Sequence, residues 1–274
     1  MIIENSNMKS NNNLKGKKGM EKKIAIVTGA SGGIGKEFTR LLIKEKVDEI
    51  WAVARNQEKL TTLKRELGDK IITISKDLSQ TEELISIGKM LEEQKPVIAF
   101  LINNAGVAKM GNYDDFEVKE IENTIRINCS ALTILCTLCI PYMKRESRIL
   151  NISSASSFQP LPYLNLYAAT KVFVRAYSRA LNIELKKKGI SVTAVCPSWV
   201  DTDLLIKEVN GEKVKFPGIV SPEKVAIKAL RDAKKGKDMS VCTLYVKYLH
   251  IMAKILPQKK IMNVWVKKIK NYTY

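Results

Sequence analysis

The residues with the clearest chemical potential are a tyrosine and a lysine four positions apart, Tyr167 and Lys171, with Ser154 thirteen residues upstream. On a helix, residues i and i+4 project from the same face one turn apart. The pKa of a phenol in water is about 10. A nearby ammonium favours the phenolate and lowers that pKa. Tyr167 could then exchange a proton with a carbonyl or alcohol oxygen that Ser154 holds. A surface helix with an unrelated tyrosine and lysine has the same spacing, so further evidence is needed.

A glycine-rich turn near the N-terminus supplies a second chemical feature. Residues 23–27 form an apolar run typical of a buried strand, and a helical pattern follows the turn Thr28-Gly29-Ala30-Ser31-Gly32-Gly33-Ile34-Gly35. Gly29, Gly33 and Gly35 give the turn the spacing TGxxxGxG. Because glycine has no side chain, a pyrophosphate can approach the backbone there and lie among the free N–H groups of the helix N-terminus. A merely flexible turn is the alternative, but the strand before it and the helix after it argue against that interpretation.

The elements that must position these residues alternate along the chain. Apolar runs predict strands at 24–28, 49–54, 71–74, 97–102, 148–153 and 190–196, and long helices are predicted at 116–142 and 163–187. Strands that alternate with helices indicate an α/β fold with a doubly wound parallel sheet and helices on both faces. The 274 residues contain no internal linker rich in Pro, Gly or Ser, so we predict a single domain over residues 21–243.

The order of these and further motifs resembles that of the short-chain dehydrogenase/reductase family over roughly residues 22 to 240. Thr28 to Gly35 matches the family's TGxxxGxG, Asn103 to Gly106 matches its NNAG, and Asp77 follows the third strand like the family's adenine-side aspartate. The segment from Pro197 to Thr202 resembles PGxxxT, with serine in place of glycine. The family's active-site positions are matched by Asn128, Ser154, Tyr167 and Lys171.

The resemblance implies a Rossmann-type fold and an oxidoreductase that acts on CH-OH groups with a nicotinamide cofactor. It assigns the catalytic roles to Asn128, Ser154, Tyr167 and Lys171. It assigns cofactor binding to Gly29, Ser31, Gly32, Gly33, Ile34, Gly35, Arg55, Asp77, Leu78, Asn104, Ala105, Gly106, Tyr167, Lys171, Pro197, Val200 and Thr202. A non-catalytic cofactor-binding protein and a membrane-surface or nucleic-acid-binding protein on the same fold are the alternatives.

The end of the second predicted strand bears on the choice of cofactor. An acidic residue there would hold the ribose hydroxyls of NAD, but the chain has Arg55 followed by Asn56. An arginine can pair with the 2′-phosphate of NADP, so NADP(H) is preferred and NAD(H) is kept as the alternative. Arg55 could instead stack on adenine or face water.

Substrate and assembly follow from the same resemblance. Family sites hold the substrate between the segment after Ser154 and the loop after Pro197, which here offer Phe158, Leu161, Leu164, Trp199, Leu204, Leu205 and Phe216. These side chains suggest an apolar small-molecule carbonyl, such as a steroid, an acyl group or a lipid-like ketone, although they could be ordinary packing. In relatives, two long helices from each subunit form a four-helix interface, so we predict a homodimer or homotetramer.

The cysteines and the net charge bear on metal binding, cellular location and nucleic-acid binding. Cys136 and Cys139 form a CxxC in an apolar helical run with no second ligand pair, which favours buried free thiols and predicts no metal. Five cysteines, an odd count, and no secretory signal favour the cytoplasm. The net charge of +18 raises the question of nucleic acid, but no recognisable motif accompanies it, so no such partner is expected.

The two ends of the chain differ in composition from the predicted domain. Residues 1–20 are rich in Asn, Lys and Ser and predict a disordered basic tail, which would be absent if translation began at Met20. Residues 244–274 predict a basic amphipathic helical extension. We expect residues 244–256 to pack near the substrate entrance. Residues 258–270 are expected to make a weak, reversible peripheral contact with a membrane or a partner.

Overall fold

The computed structural model describes residues 21–205, 208–209, 212–214, 216 and 218–269. The predicted tail at 1–20 lies outside this range. The strands are β1 Lys23–Thr28, β2 Glu49–Ala54, β3 Ile71–Ser75, β4 Val97–Asn103, β5 Met143–Ile152, β6 Ser191–Val195, β7 Glu208–Val209, β8 Glu212–Lys213 and β9 Met239–Ser240. The helices are α1 Gly33–Leu42, α2 Gln57–Leu67, α3 Thr81–Gln94, α4 Val118–Ile125, α5 Leu132–Cys139, α6 Asn165–Glu184, α7 Pro222–Lys234, α8 Leu244–Ile255 and α9 Gln258–Ile269.

Among the described residues, seven strands form one parallel sheet in the order β3-β2-β1-β4-β5-β6-β9. The strand order reverses between β1 and β4, as in a doubly wound fold. All six predicted strands are confirmed. β5 begins earlier than predicted, at Met143, because the polar stretch before Arg148 still pairs with β4 across a register irregularity. The short strand β9 was not predicted, since two residues carry no periodic pattern.

Helices cover both faces of the sheet, as the alternating pattern predicts. The residues of β1 show the division, because Ala25 and Val27 face one core and Ile24 and Ile26 face the other. The first core is completed by α1, α2 and α7, and the second by α3, α5 and α6. All four of these β1 side chains are fully buried. Because both faces of the strand are covered, its sequence is apolar throughout and does not alternate with polar residues.

The predicted long helix at 116–142 is confirmed, although it is not a regular α-helix throughout. A π-helical segment, Arg126–Ala131, joins α4 to α5, and a 3₁₀ turn follows at Ile140–Tyr142. By length and composition alone, Val118–Tyr142 could span a membrane. In the fold, its later part packs in the protein core, where Leu132, Leu135 and Cys136 are buried.

Cys136 and Cys139 are buried free thiols, as predicted, and the other three cysteines are also free. Burial raises the pKa of the Cys136 thiol to about 12, which makes it a poor nucleophile at neutral pH. Among the described residues, no group of three or more His, Cys, Asp or Glu side chains is arranged to hold a metal ion.

The two C-terminal helices, α8 and α9, contact the domain to different extents. α9 lies against the domain, with Ile269 buried and the Trp265 indole N–H donating to the Pro162 carbonyl at 2.8 Å. α8 buries Val246 but leaves one apolar stripe exposed, formed by Leu244, Tyr248, Ile251 and Ile255. α9 is thus seated on the domain by its aromatic residue, and the weak peripheral contact expected for residues 258–270 stays a prediction. The exposed apolar surface belongs to α8.

Candidate active site

The glycine turn and the NNAG segment meet where the strand order reverses. The Thr28 hydroxyl accepts hydrogen bonds from the backbone N–H groups of Asn104, at 2.9 Å, and Ala105, at 3.0 Å. In return, the Asn104 amide donates to the carbonyls of Thr28, at 3.0 Å, and Gly29, at 3.2 Å. These bonds join the ends of β1 and β4 into one unit. The predicted cofactor residues of both motifs are thereby brought together.

Two glycines in the turn adopt a backbone conformation that other residues rarely reach. Gly29 has φ +62° and Gly33 has φ +50°, both in the left-handed region. A side chain at Gly35 could not fit, because its Cβ would lie 2.1 Å from the Gly29 carbonyl oxygen. A Cβ at Gly33 would lie 3.0 Å from Thr202 Cγ2, so the loop after β6 closes against the turn.

The N-terminus of α1 is open and carries no competing acid. Gly32 is its N-cap, no side chain caps the helix, and a Cβ on Gly32 would have no neighbour within 4 Å. The first turn contains no acidic residue. Free N–H groups and the positive end of the helix dipole suit a phosphate group. The turn therefore fits the pyrophosphate of a dinucleotide, with Ser31 on the loop and Ile34 in the first turn of α1.

Arg55 and Asp77 lie at the ends of neighbouring strands, on the β3 side of the turn. Arg55 is exposed directly after β2, and its carbonyl accepts a hydrogen bond from the Ser75 hydroxyl at 3.1 Å. Asn56 caps α2 by accepting from the Lys59 N–H at 2.8 Å. Asp77 accepts from the Ser79 N–H at 3.0 Å, and the neighbouring Leu78 is buried. No carboxylate therefore stands at the end of β2.

Asn128 lies in the π-helical segment, where its carboxamide links three parts of the site. Its oxygen accepts from the Val107 N–H at 2.9 Å, and its NH₂ donates to the Val107 carbonyl at 2.9 Å and the Thr170 hydroxyl at 3.0 Å. Asn128 thus ties the loop after NNAG to α6. Thr170 was not predicted as a site residue, although it directly precedes Lys171. Its position beside a matched lysine was the only signal available.

Lys171 is buried on α6, and its ammonium donates to the Ile152 carbonyl at 2.9 Å. The Ser153 hydroxyl donates to the Lys171 carbonyl at 2.7 Å, so the end of β5 binds this residue twice. A Cβ on Gly106 would lie 3.4 Å from the Lys171 nitrogen, which places the NNAG segment directly beside it. Burial lowers the pKa of Lys171 to about 8, because the charged form is poorly solvated there.

Tyr167 lies next to both Ser154 and Lys171. The Lys171 nitrogen is 5.4 Å from the centroid of the Tyr167 ring. Burial raises the pKa of Tyr167 to about 12, and its side-chain hydrogen bond with Ser154 opposes this rise. The expectation that the ammonium lowers this pKa below 10 is therefore wrong for this structure, since burial dominates. Ser154 also accepts from the Ser156 N–H at 3.1 Å, which fixes the 3₁₀ turn Ala155–Phe158.

An apolar wall adjoins Tyr167. Leu161 and Leu164 pack in one cluster with Tyr167 and with Trp265 from α9. The Trp265 ring stacks on Trp199 with centroids 6.4 Å apart, and Trp199 packs on Phe216 at 5.1 Å. Trp265 was missed as a site residue, because it lies 103 positions from its hydrogen-bond partner, Pro162.

Some predicted substrate residues are not in this wall. Phe158 packs instead with Cys196, Val241 and Val246, in a separate core cluster under α8. Phe158 therefore lies outside the cluster that contains Tyr167, and its role as a substrate residue stays a prediction. Leu204 is about half exposed on the loop after β6, which also carries Pro197, Val200 and Thr202. The Pro197 carbonyl accepts from the Ala155 N–H at 2.7 Å, so this loop is bound to the segment after Ser154.

Comparison with known proteins identifies similar sequences and folds. The sequence model described as short chain dehydrogenase matches residues 23–213. An uncharacterized oxidoreductase of Staphylococcus aureus strain N315 is 28% identical over 228 residues, which cover 82% of this chain and 96% of that protein. A short-chain dehydrogenase from Sphingobium yanoikuyae, solved in complex with NADPH, has a TM-score of 0.72 and 26% identity, over 92% of this chain and 96% of that one. A bulky-bulky ketone specific alcohol dehydrogenase from Comamonas testosteroni has a TM-score of 0.69 and 25% identity over the same shares.

Proposed function

The chain belongs to the short-chain dehydrogenase family, and on this premise we propose that it is an NADP(H)-dependent oxidoreductase that interconverts a ketone or aldehyde and an alcohol. The observation that carries the proposal is the position of Lys171, whose side-chain nitrogen lies 5.4 Å from the centroid of the Tyr167 ring, with Ser154 just after the end of β5. These groups adjoin the NNAG segment and hence the glycine turn. When bound, the nicotinamide supplies the hydride chemistry.

Tyr167 is the proposed acid in this reaction. A pKa near 12 keeps the phenol protonated at neutral pH, so that Tyr167 can protonate the oxygen of a carbonyl as it is reduced. Ser154 would orient that oxygen through its hydroxyl. Lys171, with a pKa of about 8, carries a positive charge at neutral pH and would bind the nicotinamide ribose. Asn128 would support a water linked to Lys171, and its bonds to Val107 and Thr170 hold it in position.

The proposed preference for NADP(H) rests on Arg55. Its side chain is exposed at the end of β2, beside the open end of the glycine turn, and no acidic residue accompanies it before Glu58. A guanidinium is well suited to a phosphate because it presents several donors in a fixed plane. The similar fold from Sphingobium yanoikuyae was solved with NADPH, which supports the same choice. NAD(H) is kept as the alternative.

The proposed substrate is an apolar ketone or aldehyde. Its site would be the wall formed by Leu161, Leu164, Trp199, Phe216 and Trp265, which adjoins the proposed acid. Apolar and aromatic side chains around one polar reacting group are typical of small-molecule sites. The likeness to a dehydrogenase specific for bulky ketones supports this substrate class.

A homodimer or homotetramer through α4, α5 and α6 is part of the proposal. Phe173 and Tyr177 stack with ring centroids 6.0 Å apart, and Phe173 remains 43% exposed on the helix that carries Tyr167. Ile183, further along α6, is 68% exposed. Exposed apolar residues along one helix favour a partner surface. A cytoplasmic location, with a weak peripheral membrane contact through the stripe of α8, completes the proposal.

Replacing the proposed acid should nearly abolish turnover. Tyr167→Phe removes the hydroxyl but keeps the ring, so we expect kcat for ketone reduction with NADPH to fall by about 10²–10⁴ while the Kd for NADPH stays nearly unchanged. Tyr177→Phe on the same helix is the matched control and should retain turnover. Both constants are measured by NADPH absorbance and fluorescence. Near-normal turnover of Tyr167→Phe would refute the assignment. If the wild-type protein does not bind NADPH, a membrane-surface or nucleic-acid-binding protein on the same fold is favoured instead.

Reversing the charge at Arg55 should change cofactor preference. Arg55→Asp removes a charge-assisted bond and adds repulsion against the 2′-phosphate, so the ratio of kcat/KM with NADPH to that with NADH should fall by at least about tenfold. Arg65→Asp, at the exposed C-terminal end of α2, changes the net charge equally and serves as control. If the two variants show the same ratio as the wild type, Arg55 does not contact the phosphate.

Truncating the aromatic wall should change substrate selectivity. Trp265→Ala opens space beside Tyr167, so kcat/KM for bulky ketones should rise relative to small ones by about tenfold or more. Val264→Ala, exposed on the same helix, is the control. A series of ketones of graded size, assayed with NADPH, measures this ratio. An unchanged size preference in a folded Trp265→Ala protein would place the substrate elsewhere.

The assembly is tested by sedimentation velocity at micromolar concentration. We expect a dimer or tetramer for the wild type and a shift towards monomer for Phe173→Asp, because a carboxylate would be buried in an apolar interface. Ile85→Asp, an exposed apolar position on α3, should not change the distribution. Monomer alone in the wild type would contradict the proposed interface.

A further inference from the structure

A basic cleft lies between α6 and α8, away from the apolar wall. Its lining combines two turns of α6, two turns of α8 and the side chain of Phe158, and consists of Phe158, Arg175, Ala176, Arg179, His250 and Lys254. Arg175 and Arg179 are four residues apart on α6, and His250 and Lys254 are four residues apart on α8. Residues at this spacing share a helix face. Two basic pairs therefore face one cleft.

The charges in this α6–α8 cleft are only partly balanced within the described residues. Arg179 forms an ion pair with Asp238, with 2.6 Å between Nε and Oδ2. Arg175 lies over the Phe158 ring, 5.4 Å from its centroid. Lys254 is exposed, and no acidic residue occurs after Asp238 in the chain. One carboxylate thus accompanies three cationic side chains, which leaves the cleft electropositive.

His250 forms part of the lining of the cleft and packs on Phe158. Its ring packs on Phe158 with centroids 4.3 Å apart, and its Nδ1 is buried without a hydrogen-bond partner among the described residues. Burial lowers the pKa of His250 first, and the charges of Lys254, Arg175 and Arg179 lower it further.

We propose that the α6–α8 cleft is a binding site for a phosphate group. Arg175 and Arg179 would contribute planar guanidinium donors, Lys254 would contribute a point charge, and Phe158 would form the floor. Phosphate suits this set because its oxygens accept several charge-assisted bonds at once. The site is separate from the glycine turn and does not depend on the proposed reaction.

The phosphate could belong to a soluble molecule or to a lipid headgroup. The exposed stripe of α8, which includes Tyr248, Ile251 and Ile255, lies on the same helix as His250 and Lys254. A lipid could therefore place its headgroup in the cleft and its chains against the stripe, as amphipathic basic helices do at membrane interfaces. The two sources share one chemistry and are distinguished by experiment.

The test uses full-length protein saturated with NADPH, so that phosphate does not compete for the cofactor site. Binding of inorganic phosphate is measured by titration calorimetry at constant ionic strength. Binding of vesicles is measured by co-sedimentation, with phosphatidylglycerol compared against phosphatidylcholine. The variants are Arg175→Gln and Lys254→Gln. Arg231→Gln, an exposed arginine on α7, is the control for loss of one charge.

Affinity for inorganic phosphate or for phosphatidylglycerol vesicles should fall at least about tenfold in Arg175→Gln and Lys254→Gln and remain unchanged in Arg231→Gln. Binding of inorganic phosphate assigns the site to a soluble ligand, and binding of the anionic vesicles alone assigns it to a lipid. If neither probe binds, or if the control loses as much affinity as the cleft variants, the proposal is overturned. Lys254 is exposed, so Lys254→Gln decides the question even if Arg175→Gln does not fold.

Discussion

The hydrogen bonds between Thr28 and the Asn104–Ala105 segment are the constraint on which the site depends. They lie at the point where the strand order reverses, and the crevice between the two diverging halves of the sheet opens there. The bonds are partly buried, so loss of one partner would cost about 1–3 kcal/mol rather than the net value of a single bond. Because the glycine turn and the NNAG segment move as one unit, the helix N-terminus and the residues beside Lys171 keep a fixed separation.

A second set of buried hydrogen bonds fixes α6 relative to the end of β5 and to Asn128. Asn128 holds Thr170, and the end of β5 holds Lys171 through both its carbonyl and its ammonium. The same burial shifts the two titrating groups in opposite directions, since it raises the pKa of Tyr167 and lowers that of Lys171. Both shifts favour the uncharged form. Burial of α6 against the end of β5 therefore both positions Lys171 and keeps the Tyr167 phenol protonated.

The sequence was sufficient where the signal is local. The strands were found because the buried central strands are apolar throughout, and the glycine turn was found because its backbone and close contacts exclude side chains. It was not sufficient where the outcome depends on contacts between distant segments. The π-helical segment at Asn128 has no residue pattern that sets it apart from the helix around it, and the packing of Phe158 depends on distant residues such as Val241 and Val246. The pKa of Tyr167 depends on burial, which residue spacing alone does not determine.

The C-terminal helices show how such distant contacts divide similar sequence patterns into different roles. α8 and α9 are both basic and amphipathic, and each is twelve residues long. α9 carries a tryptophan whose N–H reaches the Pro162 carbonyl, and this contact seats its apolar side beside Tyr167. α8 rests on the domain through Val246, Ala253 and the ring of His250. Its remaining apolar side chains stay exposed. The indole N–H of Trp265 thus helps to hold α9 beside Tyr167, whereas α8 leaves its apolar stripe exposed.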